Sequence, residues 1–264
     1  MRRLLSFDCE GDALVATLDE AGGTTGLLIV SGGNEIRIGA HRGMAKLAAA
    51  IATAGHPVFR FDRRGIGDSE GENGGFQSSA PDIAAAIAAF RTASPSLERI
   101  VAFGNCDAAS ALVLHAIAGI DALVLANPWV IETEDDMPPP AAIRARYAGR
   151  MRDPAAWRAL FTGGIDLRKL AAGLVRVARP APPSALTARV AERLATIEKP
   201  VTILACKGDA TAIAFLDEWA DPSFERARAR PNIDLHMIDS DSHSFANDVD
   251  FTELKAGLLT RLRD

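Results

Sequence analysis

The chain has 264 residues, of which 48% are hydrophobic, and it carries a formal net charge of −5. This length and composition support one large domain with a sizeable core, and the charge gives no reason to expect a nucleic acid partner. The sequence has no apolar run long enough for a membrane span, so we expect none. Its three cysteines show no metal-ligand spacing. Their odd number favours free thiols in a reducing compartment, so we predict a cytoplasmic protein with no metal or other cofactor.

Short apolar runs alternate with helix-forming segments along the chain. Two runs at 4–9 and 13–18 are split by a turn signal and predict an antiparallel hairpin at a sheet edge. Further strands are predicted at 26–30, 57–61, 100–103, 123–126, 201–206 and 233–238, and helices at 44–54, 81–90 (with Ser79 as N-cap), 108–118, 212–219 and 253–262. This alternation predicts an α/β fold with a mostly parallel, doubly wound sheet.

The composition changes between Trp129 and Lys199. Proline clusters at 138–140 and 180–183 flank arginine-rich segments with helical character. The gap is longer than a single crossover connection usually needs. We therefore predict a helical lid at 131–195, inserted into a core made of 1–130 and 196–264. A pair of ordinary crossover helices is the alternative.

One stretch, residues 103–109, lies between a predicted strand and a predicted helix and reads Phe-Gly-Asn-Cys-Asp-Ala-Ala. A sharp strand-to-helix turn with a nucleophile at its tip is a nucleophile elbow, whose usual pattern is G-x-S-x-G. Here Cys106 replaces the serine and Ala108 replaces the second glycine. Alanine is still small enough for a strand and a helix to cross closely. The alternative is that Cys106 is a buried core cysteine.

Cys106, Asp209 and His243 each follow a predicted strand, at the edge where open α/β sheets bind ligands. Their order in the chain (nucleophile, acid, histidine) is that of the α/β-hydrolase arrangement. A thiol can attack an acyl carbon, a histidine can take and return the proton, and a carboxylate can orient the histidine. Asp241 is a rival acid, although it is very close in sequence to His243. Asn127 ends another strand but carries no charge.

An oxyanion needs at least two fixed hydrogen-bond donors. The first candidate is the backbone N–H of Asp107, and the second is the N–H of Gly33 or Asn34 in a glycine-rich turn. Alternatively, this turn simply needs glycine for its conformation.

Other polar and aromatic residues have less certain roles. Three basic residues after the glycine turn could bind an anionic group or could simply be solvated; they are Arg37, His41 and Arg42. His236 lies within the last predicted strand and is predicted to pack in the core.

Three aromatic side chains are candidate substrate-binding residues: Trp129 at a strand end, and Trp157 and Phe161 in the predicted lid. Apolar residues at helical spacing in the lid can pack against the body of the protein or roof a pocket over Cys106.

With these features the chain resembles an α/β-hydrolase over nearly its whole length, and more narrowly it resembles the exosortase A system-associated hydrolase 1 family. The stretches that carry the resemblance are 32–42, 61–71, 104–110 and 125–129. The resemblance implies a cysteine at the elbow, which matches Cys106. It also implies that the protein is encoded near exopolysaccharide and protein-sorting genes in a Gram-negative bacterium. Residues 34–36, Asn-Glu-Ile, depart from the Pro-Gln-Tyr of relatives, and this departure bears on substrate contacts.

These observations favour a cysteine-dependent hydrolase that cleaves a small-molecule acyl substrate, an ester or thioester, through a thioacyl intermediate. An acyltransferase using the same intermediate is a second reading, since an amine or thiol can attack a thioester. A binding module that keeps the fold without turnover is a third. The sequence does not indicate the oligomeric state.

Overall fold

A computed structural model describes residues 1–115, 117–132 and 184–264 of the chain. Within these ranges eight strands form one sheet: β1 Arg2–Cys9, β2 Asp12–Asp19, β3 Thr25–Val30, β4 Val58–Phe61, β5 Arg99–Asn105, β6 Ala122–Ala126, β7 Val201–Cys206 and β8 Ile233–Ile238. Their order across the sheet is β1-β2-β4-β3-β5-β6-β7-β8. The β1–β2 and β2–β4 pairs are antiparallel and the other neighbouring pairs are parallel. The predicted mostly parallel sheet is confirmed.

The predicted hairpin at the sheet edge is also confirmed. Strands β1 and β2 pair over their whole length, from Arg2 opposite Asp19 to Cys9 opposite Asp12. The turn between them uses two left-handed residues, Glu10 and Gly11.

The helices of the described ranges are α1 Gly43–Thr53, α2 Ala80–Ala93, α3 Asp107–His115, α4 Ala185–Thr196, α5 Ala210–Ala220, α6 Glu225–Arg228 and α7 Asp248–Arg263, with short 3₁₀ turns at Ala40–Arg42, Phe76–Ser78 and Pro222–Phe224. Helix α7 begins earlier than predicted because the side chain of Asn247 accepts the N–H of Asp250 at 2.9 Å and caps it. Ser79 precedes α2 as predicted, but its hydroxyl donates to the carbonyl of Phe76 at 2.7 Å and does not cap the helix.

Both faces of the sheet are covered by helices. In β3, Leu27 and Ile29 join one hydrophobic cluster, and Leu28 and Val30 join another. The first cluster includes residues of α1 and α7, and the second includes residues of α2, α3 and α4. Because both faces are buried, the central strands are continuous apolar runs, which is why they were identifiable in the sequence.

Part of the range predicted as a lid, 131–195, is helix α4. Its residues Leu186, Val190 and Leu194 are buried in the same cluster as α3. This helix is therefore packed on the body of the protein. The remaining predicted lid residues 133–183 lie outside the described residues.

The described residues on the two sides of 133–183 contact each other. The carbonyl of Val130 accepts a hydrogen bond from the hydroxyl of Thr187 at 2.7 Å and another from that of Ser184 at 3.3 Å. Val130 and Thr187 are both buried. The two ends of the segment that separates β6 from α4 are thus held together.

Strand β8 is the second edge of the sheet, and only Ile238 in it is fully buried. His236 is exposed, so the prediction that it packs in the core is wrong. An edge strand has one neighbour only, and the apolar pattern alone did not show that β8 would be last. No helix in the described part of the chain combines the length and apolar character that crossing a bilayer requires.

Candidate active site

Cys106 forms the tip of a tight turn between β5 and α3. Its φ of 61° is in the left-handed region, which non-glycine residues adopt only when their surroundings hold them there. Its N–H donates to the carbonyl of Ala126 at 3.0 Å, and its own carbonyl accepts from the N–H of Trp129 at 3.1 Å. A β-carbon on Gly104 would lie 2.7 Å from the carbonyl carbon of Ala108, so this position needs glycine. The structure thus contains the strand-turn-helix geometry that the motif predicts.

His243 and Asp209 are hydrogen-bonded, with 2.9 Å between the imidazole Nδ1 and the carboxylate Oδ2. The side chain of Asp209 is nearly buried and that of His243 is 42% exposed. Because Nδ1 is bound to Asp209, Nε2 is the ring nitrogen left for other partners. The structure brings together the three residues Cys106, Asp209 and His243, which are far apart in the sequence.

The pKa of His243 is raised to about 10. Its hydrogen bond to Asp209 is the largest cause and hydrogen bonding to Cys106 is the second, while burial acts in the opposite direction. A carboxylate partner stabilises the charged imidazolium, and this raises the pKa. The contact with Asp209 therefore favours the charged form of the ring.

Asp209 has a second structural task. Its Oδ1 accepts the N–H of Ala212 at 2.9 Å and so caps α5, while Oδ2 binds His243. The loops that carry the two residues are also joined, since the N–H of Gly208 donates to the carbonyl of Ser240 at 2.8 Å. Asp209, and not its rival Asp241, is the carboxylate bonded to the imidazole.

Two asparagines that the sequence did not mark as site residues hold the histidine loop. Asn105 donates from Nδ2 to the carbonyl of His243 at 3.0 Å, and Asn127 donates from Nδ2 to Oδ1 of Asn105 at 3.3 Å and to the same carbonyl at 3.5 Å. The Oδ1 of Asn127 accepts the N–H of Cys206 at 2.9 Å. These amides therefore link the ends of β5, β6 and β7 to the loop of His243. A polar residue directly after a buried strand is the only signal that could have suggested them.

The glycine turn predicted to supply oxyanion donors lies against the elbow. The N–H of Gly33 donates to the carboxylate Oδ1 of Asp107 at 2.6 Å. A β-carbon on Gly32 would lie 2.8 Å from that same oxygen and 3.6 Å from the β-carbon of Cys106. The turn thus approaches the nucleophile position closely, but one of its predicted donors is occupied by the side chain of Asp107.

Residues that follow β4 in the chain also hold the glycine turn in place. Arg63, which is buried, donates from Nη2 to the carbonyl of Gly33. The side chains of Asn73 and Asn34 are hydrogen-bonded at 2.9 Å. Within the described residues, the backbone N–H groups of Asn34 and Asp107 have no hydrogen-bond partner, and the first N–H groups of a helix have none inside it.

Arg37 is engaged in ion pairs within the protein. Its guanidinium forms an ion pair with Asp62, which is fully buried, and a second with Asp68 at 3.2 Å. Of the three basic residues after the glycine turn, His41 and Arg42 are exposed. Both have left-handed backbone conformations.

Of the three aromatic residues predicted to bind substrate, the structure describes Trp129. Trp129 is half-buried and packs against the larger hydrophobic cluster. Its backbone N–H donates to the carbonyl of Cys106, and this bond holds it next to the elbow. Trp157 and Phe161 lie outside the described residues. Their predicted role in substrate binding stays a prediction, as does that of Trp129.

The other two cysteines are buried. Burial is the main cause that raises the pKa of the Cys9 thiol to about 11, and it does the same for Cys206. Cys106 is half-exposed. The three thiols therefore differ in accessibility.

Known proteins share this fold. The model of the alpha/beta hydrolase family matches residues 27–253. A Pyrococcus furiosus esterase, Pf2001, is similar with a TM-score of 0.69 and 16% identity, covering 100% of this chain and 92% of its own. A proline iminopeptidase of Mycobacterium smegmatis has a TM-score of 0.64 and 16% identity over 99% and 98% of the two chains. The thioesterase domain of the curacin biosynthetic pathway has a TM-score of 0.59 and 12% identity over 98% and 99%. No curated protein matches the chain significantly by sequence.

At these identities the solved structures support the fold alone. The family model, however, spans residues 27–253 of the 264, and the parallel sheet and strand-to-helix elbow agree with it. The chain belongs to the α/β hydrolase family.

Proposed function

We propose that the protein is a cysteine-dependent hydrolase that cleaves small esters or thioesters through a thioacyl intermediate on Cys106. The observation that carries the proposal is the hydrogen bond between His243 and Asp209 at 2.9 Å, with the imidazole interacting with Cys106 at the tip of the elbow. A carboxylate, a histidine and a nucleophile arranged in this way are the parts that acyl transfer needs.

In the first half of the reaction the sulfur of Cys106 attacks the acyl carbon. The carbonyl electron pair moves to oxygen, and its return expels the alcohol or thiol, which takes a proton from Nε2 of His243. The bond to Asp209 favours the imidazolium form, which is the form that can give a proton to the leaving group. An imidazolium beside sulfur is also the setting in which enzymes use a thiolate as the nucleophile.

In the second half water attacks the thioester. His243, now neutral, takes a proton from the water, and the tetrahedral intermediate collapses to release the carboxylic acid and the sulfur of Cys106. Asp209 keeps the ring orientation fixed through both halves by its bond to Nδ1. The candidate donors for the oxyanion are the N–H of Asp107 and that of Asn34, because the N–H of Gly33 is bonded to the Asp107 carboxylate.

We also propose the narrower family membership, that of the exosortase A system-associated hydrolase 1 family. The support is the cysteine at the elbow together with the motif residues around Gly33 and Cys106. In this proposal residues between 131 and 184, including Trp157 and Phe161, contribute to the acyl pocket.

The nucleophile is tested by replacing it. Cys106→Ala is expected to abolish hydrolysis of short p-nitrophenyl esters and of N-acetylcysteamine thioesters, while the matched control Cys9→Ala keeps turnover. Iodoacetamide is expected to alkylate Cys106 first, because Cys9 and Cys206 are buried and their thiol pKa values are raised to about 11.

Mass spectrometry of the alkylated protein and of the enzyme quenched during turnover gives the readout. An acyl adduct on Cys106 is expected in the quenched sample. Retained activity in Cys106→Ala, or equal labelling of all three cysteines, would contradict the proposal. Adding an amine or thiol acceptor and measuring the ratio of transfer to hydrolysis distinguishes an acyltransferase that uses the same residues.

A further inference from the structure

The carboxylate of Asp107 occupies an unusual place for a negative charge. Its Oδ1 accepts the N–H of Gly33 at 2.6 Å, and a β-carbon added to Gly32 would touch both this oxygen and the β-carbon of Cys106. A substrate held for attack by Cys106 would therefore place its acyl group beside this carboxylate.

No basic side chain of the described residues neutralises this charge. Within residues 1–115, 117–132 and 184–264, no arginine, lysine or histidine forms an ion pair with Asp107. By contrast, Asp62 has Arg37, and Asp209 has His243. Arg63 contacts the same turn, but it donates to the carbonyl of Gly33.

A carboxylate that has no basic partner among the described residues affects substrates differently according to their own charge. With a neutral acyl group, the oxyanion develops next to a second negative charge, and their repulsion raises the barrier. With an ammonium group on the carbon next to the acyl carbon, a positive charge lies near both the oxyanion and the carboxylate. The attraction then lowers the barrier for that substrate.

We propose that the Asp107 carboxylate is a cation subsite that selects acyl substrates bearing an ammonium group next to the scissile carbonyl, that is, aminoacyl esters or thioesters. This inference rests on the proposed function and names its substrate class. The alternative is that the carboxylate only fastens the glycine turn to the elbow, a task that a neutral amide oxygen performs equally well.

Two isosteric substrates test the subsite, the alanyl and isobutyryl thioesters of N-acetylcysteamine. They differ in one group, which is an ammonium in the first and a methyl in the second. Wild-type kcat/KM, after subtraction of the rate with Cys106→Ala, is expected to favour the alanyl thioester.

The informative variant is Asp107→Asn, which keeps an oxygen for the N–H of Gly33 and removes the charge. We expect the alanyl-to-isobutyryl ratio of kcat/KM to fall by about tenfold or more, with an increase for the isobutyryl substrate. Asp107→Ser is a second variant that suits a helix N-terminus and should give the same direction. Asp221→Asn, which removes an exposed carboxylate from another helix N-terminus, is the control and should leave the ratio unchanged.

An unchanged ratio in Asp107→Asn would overturn the subsite, because a fastening role alone predicts it. An equal loss for both substrates would overturn it as well. If the wild type hydrolyses the isobutyryl thioester through Cys106 but does not prefer the alanyl one, the subsite fails while the proposed function stands. If neither substrate is hydrolysed, both fail.

Discussion

The loops on the two sides of Cys106 are held in place by different chemistry. The loops after β3 and β4 are fixed mainly by charged groups, such as the Arg37–Asp62 ion pair and the bond from Arg63 to Gly33. On the other side, the carbonyl of His243 itself is held by the neutral amides Asn105 and Asn127. A neutral amide can hold a backbone in place without adding a charge that would shift the pKa of a nearby imidazole. The only carboxylate bonded to the imidazole of His243 among the described residues is then Asp209.

The largest expected effect comes from removing that carboxylate. In Asp209→Asn the amide oxygen can still cap α5, so the protein should fold, but the side chain no longer stabilises the imidazolium. We expect kcat to fall by about 10⁴-fold, as loss of the orienting carboxylate does in other triads. The pKa of His243, now about 10, should fall, and the pH profile of kcat/KM reports this shift.

Asp241→Asn is the matched control for this variant, because Asp241 lies on the same loop as His243 without bonding to its ring. If both variants lost activity equally, Asp209 would not be the specific orienting group.

Arg37→Ala tests the role of charged groups in fixing the loops after β3 and β4. This variant leaves the fully buried carboxylate of Asp62 without its guanidinium partner, and breaking a buried ion pair costs about 3–5 kcal/mol. Asp68→Asn removes the other ion-pair partner of this arginine. The side chain of Asp68 is 73% exposed, so its loss should cost less than about 1 kcal/mol. Urea denaturation measures both, and similar losses in the two variants would contradict the distinction.

Asn127→Ala tests the role of the neutral amides that hold the carbonyl of His243. The N–H of Cys206 and the amide of Asn105 would lose a buried partner, at a cost of about 1–3 kcal/mol in unfolding free energy. We also expect kcat to fall by about tenfold, because the loop of His243 becomes less well placed.

Asn127→Asp sharpens this test. It keeps an acceptor for the N–H of Cys206 but sets a carboxylate against the carbonyl of His243, which had accepted the amide N–H. A pH profile of kcat that shifts in Asn127→Asp and keeps its midpoint in Asn127→Ala would separate charge from position. Unchanged kcat in both variants would limit the amides to a role in folding.

The smallest expected effect is a pH dependence of stability. The pKa of His243 is raised from 6.5 to about 10 in the folded protein. The stabilisation from its charged form is therefore complete below about pH 6.5 and is lost as pH rises toward 10. Because the side chain is 42% exposed, solvent screening makes the effect small. The difference in unfolding free energy between wild type and His243→Gln, followed from pH 6 to 10, should shrink with rising pH, and a constant difference would contradict the linkage.

The strands were predicted well because the central ones are apolar on both faces. Cys106, Asp209 and His243 were predicted as site residues because each of them follows a predicted strand. The sequence did not predict the contacts that tie the loops together. The bond from Gly33 to Asp107 joins residues 74 positions apart. The motifs marked both residues as backbone donors, but no local pattern shows that the side chain of Asp107 binds the glycine turn. The amides of Asn105 and Asn127 were missed for the same reason. Conversely, His236 was misplaced because burial depends on which strand ends the sheet.

The hydrogen bonds of Val130 with Ser184 and Thr187 have a consequence for how this chain could be remodelled. Since the two ends meet on the body, a linker of a few residues would span the gap left by removing what lies between them. We therefore expect the chain to be rejoined most easily between Val130 and Ser184, at a point remote from the sheet edge formed by β1 and β2.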